Sequence, residues 1–325
     1  MSENPEEPAS QLPAVIQQAA GKVPEKWRHK AAVWVFRLIA GANADTVRPI
    51  ADAYNDMRGR AIFSEAVARG AAQKALDDPE LLDRAILHFM SDELRAQSNR
   101  EKVAQATLEE LAQDPSDDAP HSAFDSVIDD TWFSKFDRIV ADVSTDDMRQ
   151  LLARILAGEI RRKGAFSLRT LRFVSEMDQD VALAFQRHAS RVVGGAGIFT
   201  IPEQWGTGIA FKDIITMLDN GIVVERSPTS TYTCRTTARS RKIVELRGYT
   251  IELISNEAMP LPIIQLSKIG IELLPLLAGD ADESVAKEIV DYLRHTLDES
   301  MTAKLYLGNF NRSGKRSTLS FIRPL

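Results

Sequence analysis

From Pro24 to about Leu111 apolar residues return every three or four positions, the period of a helix that buries one face. Val33, Phe36 and Ala40 begin the series, and abundant alanine favours helix throughout it. Asp78 followed by Pro79 predicts a helix start, a capping side chain and then a proline whose missing N–H costs nothing in the first turn. That helix opens on Leu82, Ile86 and Phe89, but the stretch from Ser91 to Lys102 is nearly all polar before Val103, Leu108 and Leu111 resume. Its middle is expected to be solvated, as a projecting helical arm.

Residues 114–122, DPSDDAPHS, contain two prolines and no large apolar side chain, and predict a linker. Beyond it, Trp132, Phe133, Phe136, Ile139 and Val140 mark a short amphipathic helix. Ser144 and Asp147 have the spacing of a capping box for the next helix, whose stripe is Met148, Leu151, Leu152, Ile155, Leu156 and Ile160. Gly164 is placed to end it in a left-handed turn. Ser167 and Asp178 are expected caps of two further helices, one with Leu171 and Val174 inward, the other with Val181 and Phe185.

After Gly194, Gly195 and Gly197 the residue preference shifts to β-branched and aromatic types. A helix at Phe211 to Leu218 runs into Asn220-Gly221, followed by expected strands at Ile222 to Glu225, Ile243 to Ile254 and Ile263 to Leu266, and a helix near Ser267 to Leu277. This order suits a winged-helix-like unit, with Pro260 and Pro262 confining their segment to a sheet edge or a loop. Val285, Ile289, Leu293 and Leu297 predict a last helix, and Leu305 to Gly308 with Thr318 to Ile322 a closing hairpin.

The expected fold class is therefore mainly α with a smaller α+β part. Its expected organisation is an acidic tail over 1–22, a helical domain over 23–195 with the linker at 114–122, and a winged-helix-like domain with C-terminal helix and hairpin over 196–325.

Charge narrows the function classes. A formal net charge of -6 gives no global attraction to nucleic acid or anionic lipid, so only a local patch supplies one. The longest apolar runs fall short of the roughly 20 residues a transmembrane helix needs, so no membrane span is expected. The acidic start MSENPEEPAS lacks the order of a secretory signal, and the lone Cys234 excludes an internal disulfide; both point to the cytoplasm.

The run QLLARILAGEIRRKGAFSLRTLRFV, Gln150 to Val174, resembles the signature of an uncharacterised bacterial family filed as domain of unknown function 2806. Gln97 and Asn99 with Arg100-Glu101, the Trp132-Phe133 pair, and Asp146 to Gln150 resemble its flanking features. Where that family has Pro-Gly this chain has Lys163-Gly164, a change in turn stiffness. A weaker similarity in layout links the chain to abortive-infection alpha phage-defence proteins. Neither resemblance supplies an activity, a cofactor or a catalytic residue.

The polar residues of the signature, Arg154, Glu159, Arg161, Ser167 and Arg169, are the family-derived candidates; helix-turn ion pairs and capping account for them more simply than a site does. Glu159, Arg161 and Arg169 are where a convergent pocket would be sought. The five histidines are scattered without metal-ligand spacing, Cys234 has no histidine nearby, and the glycine cluster at 194–197 lacks a phosphate-loop spacing. No catalytic residue, metal or cofactor is assigned.

Arg235, Arg239, Arg241, Lys242 and Arg247, with Tyr232 and Tyr249, form a candidate nucleic-acid-binding wing, against the simpler reading of a charged sheet edge. The leading expectation is a nonenzymatic interaction or regulatory protein, with phage defence or stress response as its expected setting and a protein partner or a second copy bound through helical association. A nucleic-acid-binding regulator and an enzyme with an unrecognised site are the alternatives.

Overall fold

In the computed structural model, residues 13–40, 79–113, 129–201, 209–225, 230–233, 235–236, 241–254, 260–277, 282–296, 302–307 and 320–324 are described. The chain divides into two compact units, Met1–Leu171 and Arg172–Leu325. Composition changes at the Gly194 cluster, but the units meet inside a helix, Leu168–Glu176.

Among the described residues the first unit is helical. It comprises α1 (Ala14–Lys22), α2 (Glu25–Ala40), α3 (Pro79–Ala112), α4 (Asp130–Asp142), α5 (Asp146–Arg161) and the start of α6 (Leu168–Glu176). α1 lies where an acidic tail was expected through residue 22; Ile16, Ala19 and Ala20 recur at helical spacing and are buried, which holds it in place. α3 is the axis of the unit, about 50 Å long at 1.5 Å per residue, and packs against α1, α2, α4 and α5.

Local signals set the helix starts. Asp129 accepts from the Trp132 N–H at 2.9 Å and caps α4. α5 is capped by Thr145, which accepts from the Met148 N–H at 3.3 Å, one residue later than the expected Ser144 box. Asp146 and Asp147 then lie in the first turn, where the helix dipole favours them. The core joins Trp34, Leu38, Val103, Leu108, Phe133, Phe136, Ile155 and Leu156. Trp132 stacks on Phe136 with ring centroids 5.2 Å apart, and Trp34 meets Trp132 edge-on at 5.8 Å.

The second unit holds the rest of α6 and then α7 (Gln179–His188), β1 (Val192–Val193), β2 (Gly197–Phe199), α8 (Ile209–Asp219), β3 (Ser230–Thr233), β4 (Arg235–Thr236), β5 (Arg241–Glu245), β6 (Tyr249–Ile254), β7 (Pro260–Gln265), α9 (Lys268–Leu273), α10 (Glu283–Thr296), β8 (Thr302–Leu307) and β9 (Ser320–Pro324). Its strands form two antiparallel sheets of order β1-β2-β7-β3 and β4-β5-β6-β8-β9. The whole is mainly α with a smaller α+β part, as the patterning predicts.

Three strand expectations change. The run Ile243 to Ile254 is a hairpin, β5 and β6, broken where Gly248 takes φ 74°. Ile222 to Glu225 is not a strand; only Val223 bridges, to Leu266. β7, expected at an edge, lies between β2 and β3. Its prolines fit because Pro262 points toward the end of β2, where its carbonyl accepts from Thr200, while Leu261 and Ile263 face β3. Pro260 shares that parity, so neither missing N–H falls on the β3 ladder.

One face of the five-stranded sheet contributes Val244, Leu246, Ile251, Leu253, Ala303 and Leu305 to a core closed by Val285, Ile289, Val290 and Leu293 of α10. Among the described residues no helix is long and apolar enough to cross a membrane.

Candidate functional site

Where α3 was expected to be solvated it splits into two parts. Residues 91–95 are exposed, but Ala96 and Asn99 are buried and Arg100 is half-buried. The reason is a polar seam with α4 and α5. The Asn99 amide donates to the carbonyls of Ala141 at 3.1 Å and Val143 at 2.7 Å, and its oxygen accepts from Arg149 Nε at 2.9 Å. Arg149 also reaches Asp146 and the Ser144 carbonyl. The next residue, Arg100, grips the buried Asp137 carboxylate through Nε and Nη2 at 2.8 and 3.3 Å. Thr107 returns its hydroxyl to the Val103 carbonyl at 2.7 Å.

Glu159, 4% exposed, is the signature's buried carboxylate. Its oxygens accept from the Gly164 N–H at 2.6 Å and the Phe166 N–H at 3.2 Å, so the side chain closes the turn between α5 and α6. Gly164 occupies that turn at φ 75°, the left-handed position read from the sequence. Trp132 Nε1 donates to the Phe166 carbonyl at 2.7 Å and pins the same turn to α4. Burial pushes the Glu159 carboxyl above its ordinary value, against the pull of the backbone donors and of Lys30. Burial likewise lowers Lys30, which Glu159 partly offsets and Lys163 reinforces.

The other signature candidates scatter. Arg161 donates to the Glu110 carbonyl at 2.9 Å on α3, Ser167 Oγ accepts from the Thr170 N–H at 3.3 Å as the cap of α6, Arg154 is half-buried along α5, and Arg169 is exposed on α6. Glu159 thus faces the α5–α6 turn, Arg161 reaches α3 and Arg169 is exposed.

Two residues of the basic wing turn inward. Lys242 is 5% exposed, since the pleat puts it on the same side as the core residue Val244. Arg247 turns inward and donates to the Leu277 carbonyl, and burial lowers its guanidinium. Arg235 and Arg241 stand in ladder positions opposite Ile243 and Ile254. Arg239 and Cys234 lie outside the described residues.

A second polar node, unmarked in the sequence, ties α7 to α8. Asp213, 4% exposed, accepts from Arg187 Nε at 2.8 Å and Nη2 at 2.6 Å, and pairs with His188 Nε2 at 3.2 Å. The Arg187 bonds hold the Asp213 carboxyl below its usual value, while burial lowers His188 despite the carboxylate beside it. Asp178 occupies the cap position of α7 without a side-chain cap bond. Among the described residues no group of three histidine, cysteine or acidic side chains is arranged to hold a metal ion.

Residues 83–195 match the model of a family described as Protein of unknown function (DUF2806). The match runs from α3 into β1 and takes in the Asn99 seam and the Glu159 turn; it is the family the signature resembles. No curated protein and no solved structure matches the chain.

Proposed function

We propose that this is a nonenzymatic interaction or regulatory protein, and that it recognises an apolar helix of a protein partner through the exposed first part of α3. One observation carries the reading: Met90 and Leu94, one helical turn apart on the same face, are 54% and 68% exposed. Apolar area left in water is area that association covers, at about 25 cal/mol per Å². His88 pairs with Asp92 at 2.9 Å and Arg95 with Asp92 at 3.4 Å, giving the pair the polar border usual at interfaces. Just beyond, the Asn99 and Arg100 bonds anchor the helix, so this face is presented on a rigid element.

The test is affinity purification of the full chain and of M90D/L94D from a bacterium that carries the gene, with circular dichroism establishing equal helicity. A partner protein recovered with the parent chain and at least tenfold depleted with the variant supports the reading. Equal recovery by both overturns it, and loss of self-association alone, seen by sedimentation, reassigns the face to a second copy. The setting we propose is phage defence or stress response, on the layout similarity to abortive-infection proteins. Unchanged phage plating and stress survival after gene deletion would remove that setting.

A further inference from the structure

Independently of the α3 surface, we propose that the outer face of the five-stranded sheet binds single-stranded nucleic acid, stacking bases on Tyr306 and meeting phosphates with Arg235, Arg241 and Lys304. Ladder register defines that face. Opposed residues of an antiparallel pair share a side, and the side changes at each step along a strand. Val244, Ile251 and Leu305 are opposed in one row and face the core under α10. Their neighbours along each strand therefore stand on the outer face.

Successive rows bring separate parts of the chain together there. Arg241, Ile254 and Thr302 form one row, with Ile254 41% exposed and Thr302 exposed. In the next, Arg235 stands opposite Ile243, Ile243 opposite Glu252, and Glu252 opposite Lys304. The third places Tyr306 opposite Phe321, so two aromatic residues stand side by side on β8 and β9. Lys304 lies two residues from Tyr306, about 7 Å along β8. Tyr306 and Lys304 are half-buried, and the Tyr306 hydroxyl donates to Glu252 at 2.8 Å, which fixes the ring. Arg235, Arg241 and Lys304 stand against Glu245 and Glu252, a local excess of cations in a chain whose net charge is -6. The tyrosines expected beside the basic wing, Tyr232 and Tyr249, pack against the core instead.

Aromatic residues and cations interleaved on one sheet face suit a single strand. Its bases present faces that stack on a ring whatever the sequence, while the cations follow the backbone. In a duplex those faces are stacked on one another and out of reach. A membrane surface or a protein partner requires a larger apolar area among the cations. Among the described residues of this face only Ile254 and Pro324 are exposed apolar ones.

The experiment titrates the full chain against fluorescein-labelled single strands of DNA and RNA, and against a DNA duplex, by anisotropy from about 50 to about 200 mM salt. Single-strand binding, to DNA, RNA or both, should appear at low salt, weaken as salt rises and exceed duplex binding about tenfold. Tyr306→Leu should weaken it about fivefold or more, the loss of one base stack, and leave the salt slope unchanged. Tyr306→Phe, which keeps the ring and loses the Glu252 bond, should bind as the parent does. R241A/K304A should lower the log–log salt slope by about 1.4, at about 0.7 per phosphate contact to a single strand. No single-strand binding at low salt, or a duplex bound as tightly, overturns the proposal. So does undiminished binding by Tyr306→Leu with the parent's thermal melt, Tyr306→Phe binding as weakly as Tyr306→Leu, or an unchanged slope in R241A/K304A.

Discussion

Asn99 Nδ2 donates to the Val143 carbonyl at 2.7 Å, tying the middle of α3 to the residue just past the end of α4. The same side chain accepts from Arg149 of α5, so one buried amide orients three helices. Asn99→Ala leaves a helix-end carbonyl and a guanidinium short of partners, and should cost about 2 to 3 kcal/mol. Urea denaturation followed by tryptophan fluorescence measures it, because Trp27, Trp34 and Trp132 all lie in the first unit. A shift in midpoint too small for even 0.5 kcal/mol, roughly the floor for a net hydrogen bond, would show that the seam is not a determinant of packing.

Glu159 makes a prediction in two parts. Glu159→Ala orphans the Gly164 and Phe166 N–H groups and should cost about 2 kcal/mol, whereas Glu159→Gln keeps an acceptor oxygen and should cost less. The pH dependence has a definite sign. Burial raises the folded pKa, so the folded state binds this proton more tightly and stability falls as pH rises from 4.5 to the folded value, then levels. Comparing stability-pH curves of the parent chain and Glu159→Gln should show that downward segment only in the parent.

The Asp213 node has the opposite slope. His188 is lowered from 6.5, so the unfolded chain binds its proton more readily and stability falls as pH drops from 6.5 to the folded value. Asp213 is lowered from 3.8, and its contribution is lost as pH falls from there through its folded value. Thermal melts between about pH 7 and 5 should show His188→Gln flattening the decline, this being the range an imidazole governs. An unchanged slope would mean that His188 titrates alike in both states.

Gly194 and Gly195 sit together in the β1-β2 turn at φ 58° and 66°, yet alanine should act differently at each. A Cβ on Gly195 meets nothing within 4 Å, leaving only the left-handed penalty of about 1 kcal/mol. On Gly194 it would lie 2.5 Å from the Tyr232 ring, so Gly194→Ala must also displace that ring. Parallel thermal melts should rank Gly194→Ala well below Gly195→Ala; equal melts would show that the ring moves aside freely.

The helices were legible because their evidence is local. The Ile155 and Leu156 stripe, the Ser167 cap and the Gly164 turn each depend on residues within about one turn of one another, and all three stand as the spacing indicates. The α10 stripe and the closing hairpin were readable for the same reason.

By itself, then, the sequence determined the helical first part, the mixed second part, the Ser167 cap, the Gly164 turn and the family resemblance of the central segment. Only tertiary structure decided that the polar run after Ser91 is half seam and half exposed face, since Asn99 becomes buried only when Val143, more than forty residues away, brings its carbonyl to it. Tertiary structure also put β7 inside a sheet despite its prolines, and turned Lys242 and Arg247 of the basic segment inward. The physical reason is the same in each case: a polar residue carries no mark of burial, and its place is set by partners that chain folding alone brings within hydrogen-bonding distance.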